Sequence, residues 1–226
     1  MSPTATETIR PKGKKQETRD KILEAAQQIF ATYPYYSAGI RMISKLAGVD
    51  HPLIKYYFGS KAILFREVIS HMMSQKRELD KNWYAVVKPM GLSRGFSLYL
   101  DFVLEDYRKR SGLFHLVSLN FRQVDPENPI PGFDLIEDFI NTEIDRVKAN
   151  LGMEIPDHEA EVFIRVFNTL MIGFLGGAHT HARMLEMDPE SIVYFNWVKE
   201  SILFTLLPRL KLMVQQSSSS EKKKDR

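Results

Sequence analysis

Residues 40–58, IRMISKLAGVDHPLIKYYF, constrain this chain more than any other stretch of it. Ile43 and Ala47 lie four apart and so share one helix face, with the small Ser44 beside them. Gly48 follows, where a helix that ends in the left-handed conformation takes a residue without a Cβ. Val49 plugs the corner. Asp50 is placed to cap a second helix, and Pro52 is tolerated in its first turn because the N–H it lacks has no intrahelical partner. Ile54 and Phe58, again four apart, turn that second helix back onto the first. Two short helices joined by a Gly-containing turn form a helix-turn-helix, whose second helix enters the DNA major groove with its N-terminal residues nearest the base edges.

The leftover positions suit that task. His51, Pro52, Leu53, Lys55 and Tyr56 are not needed for the local core and are expected to face outward, with Lys55 and the tyrosines against phosphates. Lys61 opens the next helix, capped by Ser60, where free N–H groups favour a phosphate. An ordinary αα-hairpin with Tyr56 and Tyr57 in its core shows the same spacing, so charge is the added argument. The whole chain is only +3, but residues 1–66 carry 11 Lys/Arg against 5 Asp/Glu, a surplus of +6. Residues 67–216 carry 16 against 21, or −5, and residues 217–226 carry 4 against 2, or +2. A basic arm (Arg10, Lys12, Lys14, Lys15) precedes the motif; such arms contact phosphates or the minor groove, and solvated termini look the same. The basic tail has no role in this reading.

Elsewhere nearly every segment has helical periodicity. Ile22, Ala25, Ala26, Ile29 and Phe30 form one stripe, and Ile63, Leu64, Val68 and Met72 begin another. Long helices are expected from Asp157 to about Arg183, and from an Asp188-Pro189-Glu190 start to a stop or kink at Pro208. Pro34, Gly48, Gly59, Pro89–Gly91, the prolines 126, 129 and 131, and Gly152–Pro156 separate the segments, with no strand alternation between them. The fold class is therefore all-α, with roughly nine helices. The expected organisation is a flexible basic arm at 1–16, a helix-turn-helix domain at 17–66, a larger helical domain at 67–214 and a disordered tail at 215–226. The absence of cysteine excludes a disulfide scaffold, a thiolate metal site and a cysteine nucleophile. The longest uncharged run, 17 residues between Arg165 and Arg183, is too short and polar to span a bilayer, so a cytoplasmic protein without a membrane partner is expected.

Residues 18–65 resemble the N-terminal DNA-binding domain of the TetR family of bacterial transcriptional regulators. The resemblance is carried by Thr18, Ile22-Leu23, Ala25-Ala26 and Phe30, then Ser44, Ala47-Gly48-Val49, Ile54, Tyr57-Phe58 and Ser60-Lys61. It implies that Arg41, His51, Pro52, Leu53, Lys55, Tyr57 and Lys61 occupy DNA-facing positions. The sequence departs from the family pattern at four sites. Pro34 replaces a Gly, Ala38-Gly39 replaces a hydroxyl-bearing helix start, Lys55 replaces a Tyr, and Ala62 replaces an acid.

The resemblance further implies that residues 67–212 bind a small-molecule effector and form a homodimer on a palindromic double-stranded operator. One helix-turn-helix per chain points to a dimer independently, since a two-fold site is read by a two-fold protein. Phe174, Gly177, Ile192, Phe195, Trp197 and Val198 are the expected interface; the same residues also suit packing within one chain. An apolar or aromatic effector is expected from the aromatic and Met-rich middle helices, with Phe102, Phe114, Phe121, Phe139, Phe167 and Met171 as the lining. His115, Asn120, Arg122 and Asn168 are candidate polar anchors. No cofactor, metal site or catalytic residue is nominated. None of the six histidines follows a Glu by three residues, and no nucleophile elbow or phosphate-binding Gly loop is present. The chain reads as a ligand-responsive regulator, in sense a repressor; the alternative is an all-α bundle enzyme or lipid-binding module with a basic head.

Overall fold

The computed structural model describes residues 13–121, 123, 127, 129–151 and 157–224. Those residues contain ten α-helices and no strand. The first three are α1 (Lys14–Thr32), α2 (Ile40–Ala47) and α3 (His51–Phe58). Next come α4 (Lys61–Val87), which continues into a 3₁₀ turn at Lys88–Met90, α5 (Leu92–Lys109) and α6 (Gly112–Phe121). After these follow α7 (Phe133–Leu151), α8 (Asp157–Met171), a π-helical segment at Ile172–Gly176, α9 (Ala178–Met184) and α10 (Ile192–Lys224).

Helix α1 buries Ile22, Ala25, Ala26 and Phe30, the stripe expected from its periodicity. Phe30 is fully buried and meets the edge of Phe65 at 4.7 Å between ring centroids. Ile43 of α2, Ile54 and Phe58 of α3, and Leu64, Val68 and Ile69 of α4 close this first core. The core does not stop near residue 66: Leu116 and Val117 of α6, Ile130, and Phe139 of α7 belong to it. The head is thus seated on the body through apolar packing as well as through α4. A second core joins Leu100, Val103 and Tyr107 of α5, Phe163 and Met171 of α8, and Tyr194, Phe195, Val198, Ile202, Leu206 and Leu210 of α10.

Four sequence expectations are revised. The helix expected from 157 to about 183 is broken: α8 with its π segment and α9 are bent by 79°. The π segment leaves carbonyls that two buried phenols satisfy, Tyr107 donating to Leu175 O at 2.9 Å and Tyr194 to Phe174 O at 2.6 Å. Burial pushes both phenols up to about 12, so each keeps its proton at neutral pH. Gly176 is required here, because a Cβ would come within 2.7 Å of the Phe114 carbonyl oxygen. Secondly, α10 starts after Ser191, whose Oγ accepts the Tyr194 N–H at 3.1 Å, and not at Asp188-Pro189-Glu190. Thirdly, α10 runs through Pro208 and on to Lys224. Pro208 deprives only the carbonyl of Phe204, a residue 86% exposed, where water can replace the missing partner. Lastly, α1 begins at Lys14, inside the expected arm. Arg10, Lys12 and Arg122 lie outside the described residues.

Candidate nucleic-acid interface

The turn between α2 and α3 follows from Gly48. Its φ of 65° and ψ of 36° are left-handed, which costs a residue with a Cβ about 1–2 kcal/mol. The Val49 N–H then reaches back to the Ser44 carbonyl at 3.0 Å, and Val49 packs on the head core. Asp50 holds the N-cap position of α3, with extended φ −69° and ψ 136°, but its carboxylate makes no capping bond.

At about 100° per residue, Pro52 and Tyr56 lie opposite the buried pair Ile54 and Phe58. Leu53 flanks them on one side and Lys55 on the other. All four are exposed, Leu53 by 36% and Tyr56 by 67%, as is His51. Tyr56 is held in place by the edge of the Tyr57 ring at 5.1 Å and the Lys15 ammonium 5.5 Å from its centroid. Tyr57 is half-buried against the head core. An open concavity of about 620 Å³ is lined by Ile40, His51, Pro52, Ile54, Lys55, Tyr56, Gly59, Ser60 and Lys61. Five of the nominated contact residues therefore converge on one depression. Arg41, Leu53 and Tyr57 lie outside its lining.

Lys61 has a task that its sequence position does not disclose. Its Nζ donates to Tyr35 O at 2.8 Å and Ala38 O at 3.1 Å, and sits 4.4 Å from the Tyr35 ring centroid. Two of its three donors therefore staple the α1–α2 loop to α4. Burial pushes this ammonium below the ordinary lysine range. Ser60 caps α4 as expected, accepting the Ile63 N–H at 3.2 Å.

One exposed cation, Lys45, was not nominated, and Lys15 of the expected basic arm gains a specific place. Lys45 lies one helical turn from Arg41 on α2, and Lys15 sits beside Tyr56. The four-residue spacing of Arg41 and Lys45 is visible in the sequence; the approach of Lys15 to α3 is a tertiary contact.

The remaining nominees distribute unevenly. Met171 lies in the body core, with Phe102, Phe114 and Phe167 packed half-buried against it. Phe121 is 63% exposed at the end of α6, and Phe139 is buried in the head-side core under the Arg77 guanidinium, 5.5 Å from its ring centroid. Neither joins the body cluster. Phe195 and Val198 fill the chain's own core and are not free for a second copy. Ile192 stays on the surface, while Phe174 and Trp197 gather with His181 and Tyr194 in an aromatic cluster near the half-buried Gly177.

Of the polar candidates, His115 meets the Tyr107 hydroxyl at 3.2 Å, and Asn168 donates to the Ile164 carbonyl of its own helix at 2.9 Å. Asn120 is fully buried and bonds the Tyr35 N–H in the head at 2.7 Å. Among the described residues no group of three His, Cys, Asp or Glu could hold a metal ion. No single described helix is long and apolar enough to cross a membrane; only the bent pair His158–Gly176 and Ala178–Met184 passes such a test together.

Fold and site together define a helix-turn-helix DNA-binding protein. Residues 22–68 match the family described as bacterial regulatory proteins, tetR family. The chain is 28% identical over 159 residues, 70% of its length and 72% of the relative's, to the uncharacterised HTH-type transcriptional regulator YdgC of Bacillus subtilis (strain 168). It is 44% identical over 63 residues, 28% of this chain and 30% of the other, to the HTH-type transcriptional repressor NicS of Pseudomonas putida. A solved TetR-family regulator from Agrobacterium tumefaciens superposes with a TM-score of 0.59 over 85% of this chain and 98% of that one, at 18% identity. The N-terminal segment thus matches the DNA-binding domain of that family, and the chain shares its fold with a solved member of it.

Proposed function

We propose that this regulator is a repressor that binds a two-fold symmetric DNA site as a homodimer and leaves it when an apolar or aromatic effector binds the body. The observation that carries the reading is the α2–Gly48–α3 unit, whose exposed face presents Pro52, Leu53, Lys55 and Tyr56 beside the cations Arg41 and Lys45. On this reading His51, Tyr57 and Lys61 complete the DNA-facing set, with Lys61 offering the one donor it has left. The repressor sense is supported by the 44% identity to NicS over 63 residues. The protein acts as a regulator and not as a catalyst, in the cytoplasm with the chromosome.

The dimer is supported by apolar surface on the last helices. Val162 and Val166 lie one turn apart on α8, 47% and 38% exposed, and Phe204 of α10 is 86% exposed. Ile192 and Val193, at the start of α10, are exposed as well. The effector reading is supported by the half-buried aromatics of α5, α6 and α8, among them Phe102, Phe114 and Phe167 around Met171. A random-sequence duplex selection followed by a gel shift tests the reading. Enrichment of an inverted repeat supports it, and binding without sequence preference at moderate salt contradicts it.

A further inference from the structure

The chemistry of the α3 face specifies what kind of base edge it can read. Bidentate base recognition uses Arg or Lys on guanine, Asn or Gln on adenine, and Asp or Glu on cytosine. Residues 51–58, HPLIKYYF, contain no Arg, Asn, Gln, Asp or Glu. The first helix of such a unit crosses the DNA backbone, so Arg41 and Lys45 of α2 are placed for phosphates. Lys55 flanks the outward face of α3, and the Tyr56 ring is held between Tyr57 and Lys15. The N-terminal turn, which comes nearest the bases, presents His51, Pro52 and Leu53, all exposed.

Apolar groups in the major groove find one apolar counterpart, the C5 methyl of thymine. The exposed cations Arg41, Lys45, Lys55 and Lys15 around this apolar tip match a polyanion and not an apolar protein surface. Resting on the DNA-binding reading above, we infer that Pro52 and Leu53 select the half-site by packing on thymine methyl groups. His51 is the base-facing residue left to make a polar contact. The operator then carries thymine at the positions beneath the first turn of α3, and the loss of a single methyl there is felt directly.

The test uses the full chain and duplexes selected from a random pool, with each thymine replaced in turn by 2′-deoxyuridine. That replacement removes the methyl and leaves base pairing intact. At least one thymine per half-site is expected to lose about fourfold in affinity, the worth of one buried methyl group. A Pro52→Ala, Leu53→Ala chain, altered only at exposed positions, is expected to bind more weakly and to show no uracil penalty at that thymine. Sequence-selective binding that no uracil replacement weakens overturns the inference and leaves the regulator reading standing. So does a selected half-site without thymine, or a double variant that keeps the full penalty. The absence of any sequence selectivity overturns the regulator reading itself.

Discussion

The side-chain oxygen of Asn120, on α6, accepts the backbone N–H of Tyr35 in the α1–α2 loop at 2.7 Å, across 85 residues of sequence. The other end of the amide donates to the Leu116 carbonyl at 2.8 Å, which fixes its orientation. The Tyr35 carbonyl in turn accepts Lys61 Nζ at the start of α4. Helix α6 also packs against the π segment, where the Phe114 backbone leaves no room for a Cβ on Gly176. A short polar chain therefore runs from the body to the base of the helix-turn-helix, through groups that are individually satisfied. A shift of α6 relative to α1 has to break or carry it.

Removing the Asn120 amide leaves the buried Tyr35 N–H without a partner. Asn120→Leu is expected to cost about 1–3 kcal/mol of stability in a urea melt. If the chain transmits the effector signal, the variant also keeps its DNA affinity but responds less to whatever ligand releases the wild type. An unchanged melt would show that water satisfies the orphaned N–H.

Lys55 and Lys61 lie six residues apart and are expected to fail differently. Lys55→Ala, at an exposed position, should leave the melting temperature unchanged, weaken DNA binding and reduce the salt slope by about one. Lys61→Ala removes two charge-assisted bonds to loop carbonyls and should cost about 1–3 kcal/mol of stability. Equal stability of the two variants would contradict the stapling role of Lys61.

His115 supplies a pH dependence. The Tyr107 hydroxyl spends its proton on Leu175 O, so His115 Nε2 donates to that hydroxyl. Burial, with His179 adding to it, holds its pKa below the ordinary 6.5. The folded chain therefore resists a proton that the unfolded chain accepts. The stability gained is complete above the unfolded value of about 6.5 and declines as pH falls below it. Urea midpoints at pH 7.5 and 5.5 should fall further apart in the wild type than in His115→Gln, which can still donate but does not titrate. Parallel behaviour of the two chains would contradict this.

The proposed dimer surface is tested by charge. Phe204→Glu places a carboxylate at an exposed position and should leave the fold intact while shifting sedimentation from dimer to monomer. A wild-type chain that sediments as a monomer at micromolar concentration would contradict the dimer.

The helix-turn-helix was legible in the sequence because its determinants are local. Gly48, the Ile43/Ala47 and Ile54/Phe58 pairs and the Ser60 cap all act within a few residues of one another. The features that were not legible are those decided by distant partners. The break after Met171 depends on the hydroxyls of Tyr107 and Tyr194, and the placement of Lys61 depends on carbonyls 23 and 26 residues upstream. Pro208 misled for a related reason. A proline ends a helix only where the carbonyl it orphans lacks another partner, and Phe204 is exposed. Apolar character alone also could not assign Phe195 and Val198 to the chain's own core and Phe204 to the surface, since all three lie on one helix.

Footprinting on a selected duplex tests the central claim most directly, namely that the exposed face of α3 reads DNA as one half of a two-fold pair. The account predicts two protected half-sites centred about 10 base pairs apart or a multiple of that. It also predicts that protection is lost on substituting Lys55 and Tyr56 together by Ala in a chain that melts normally. Protection that ignores sequence, or that survives this substitution unchanged, would contradict it.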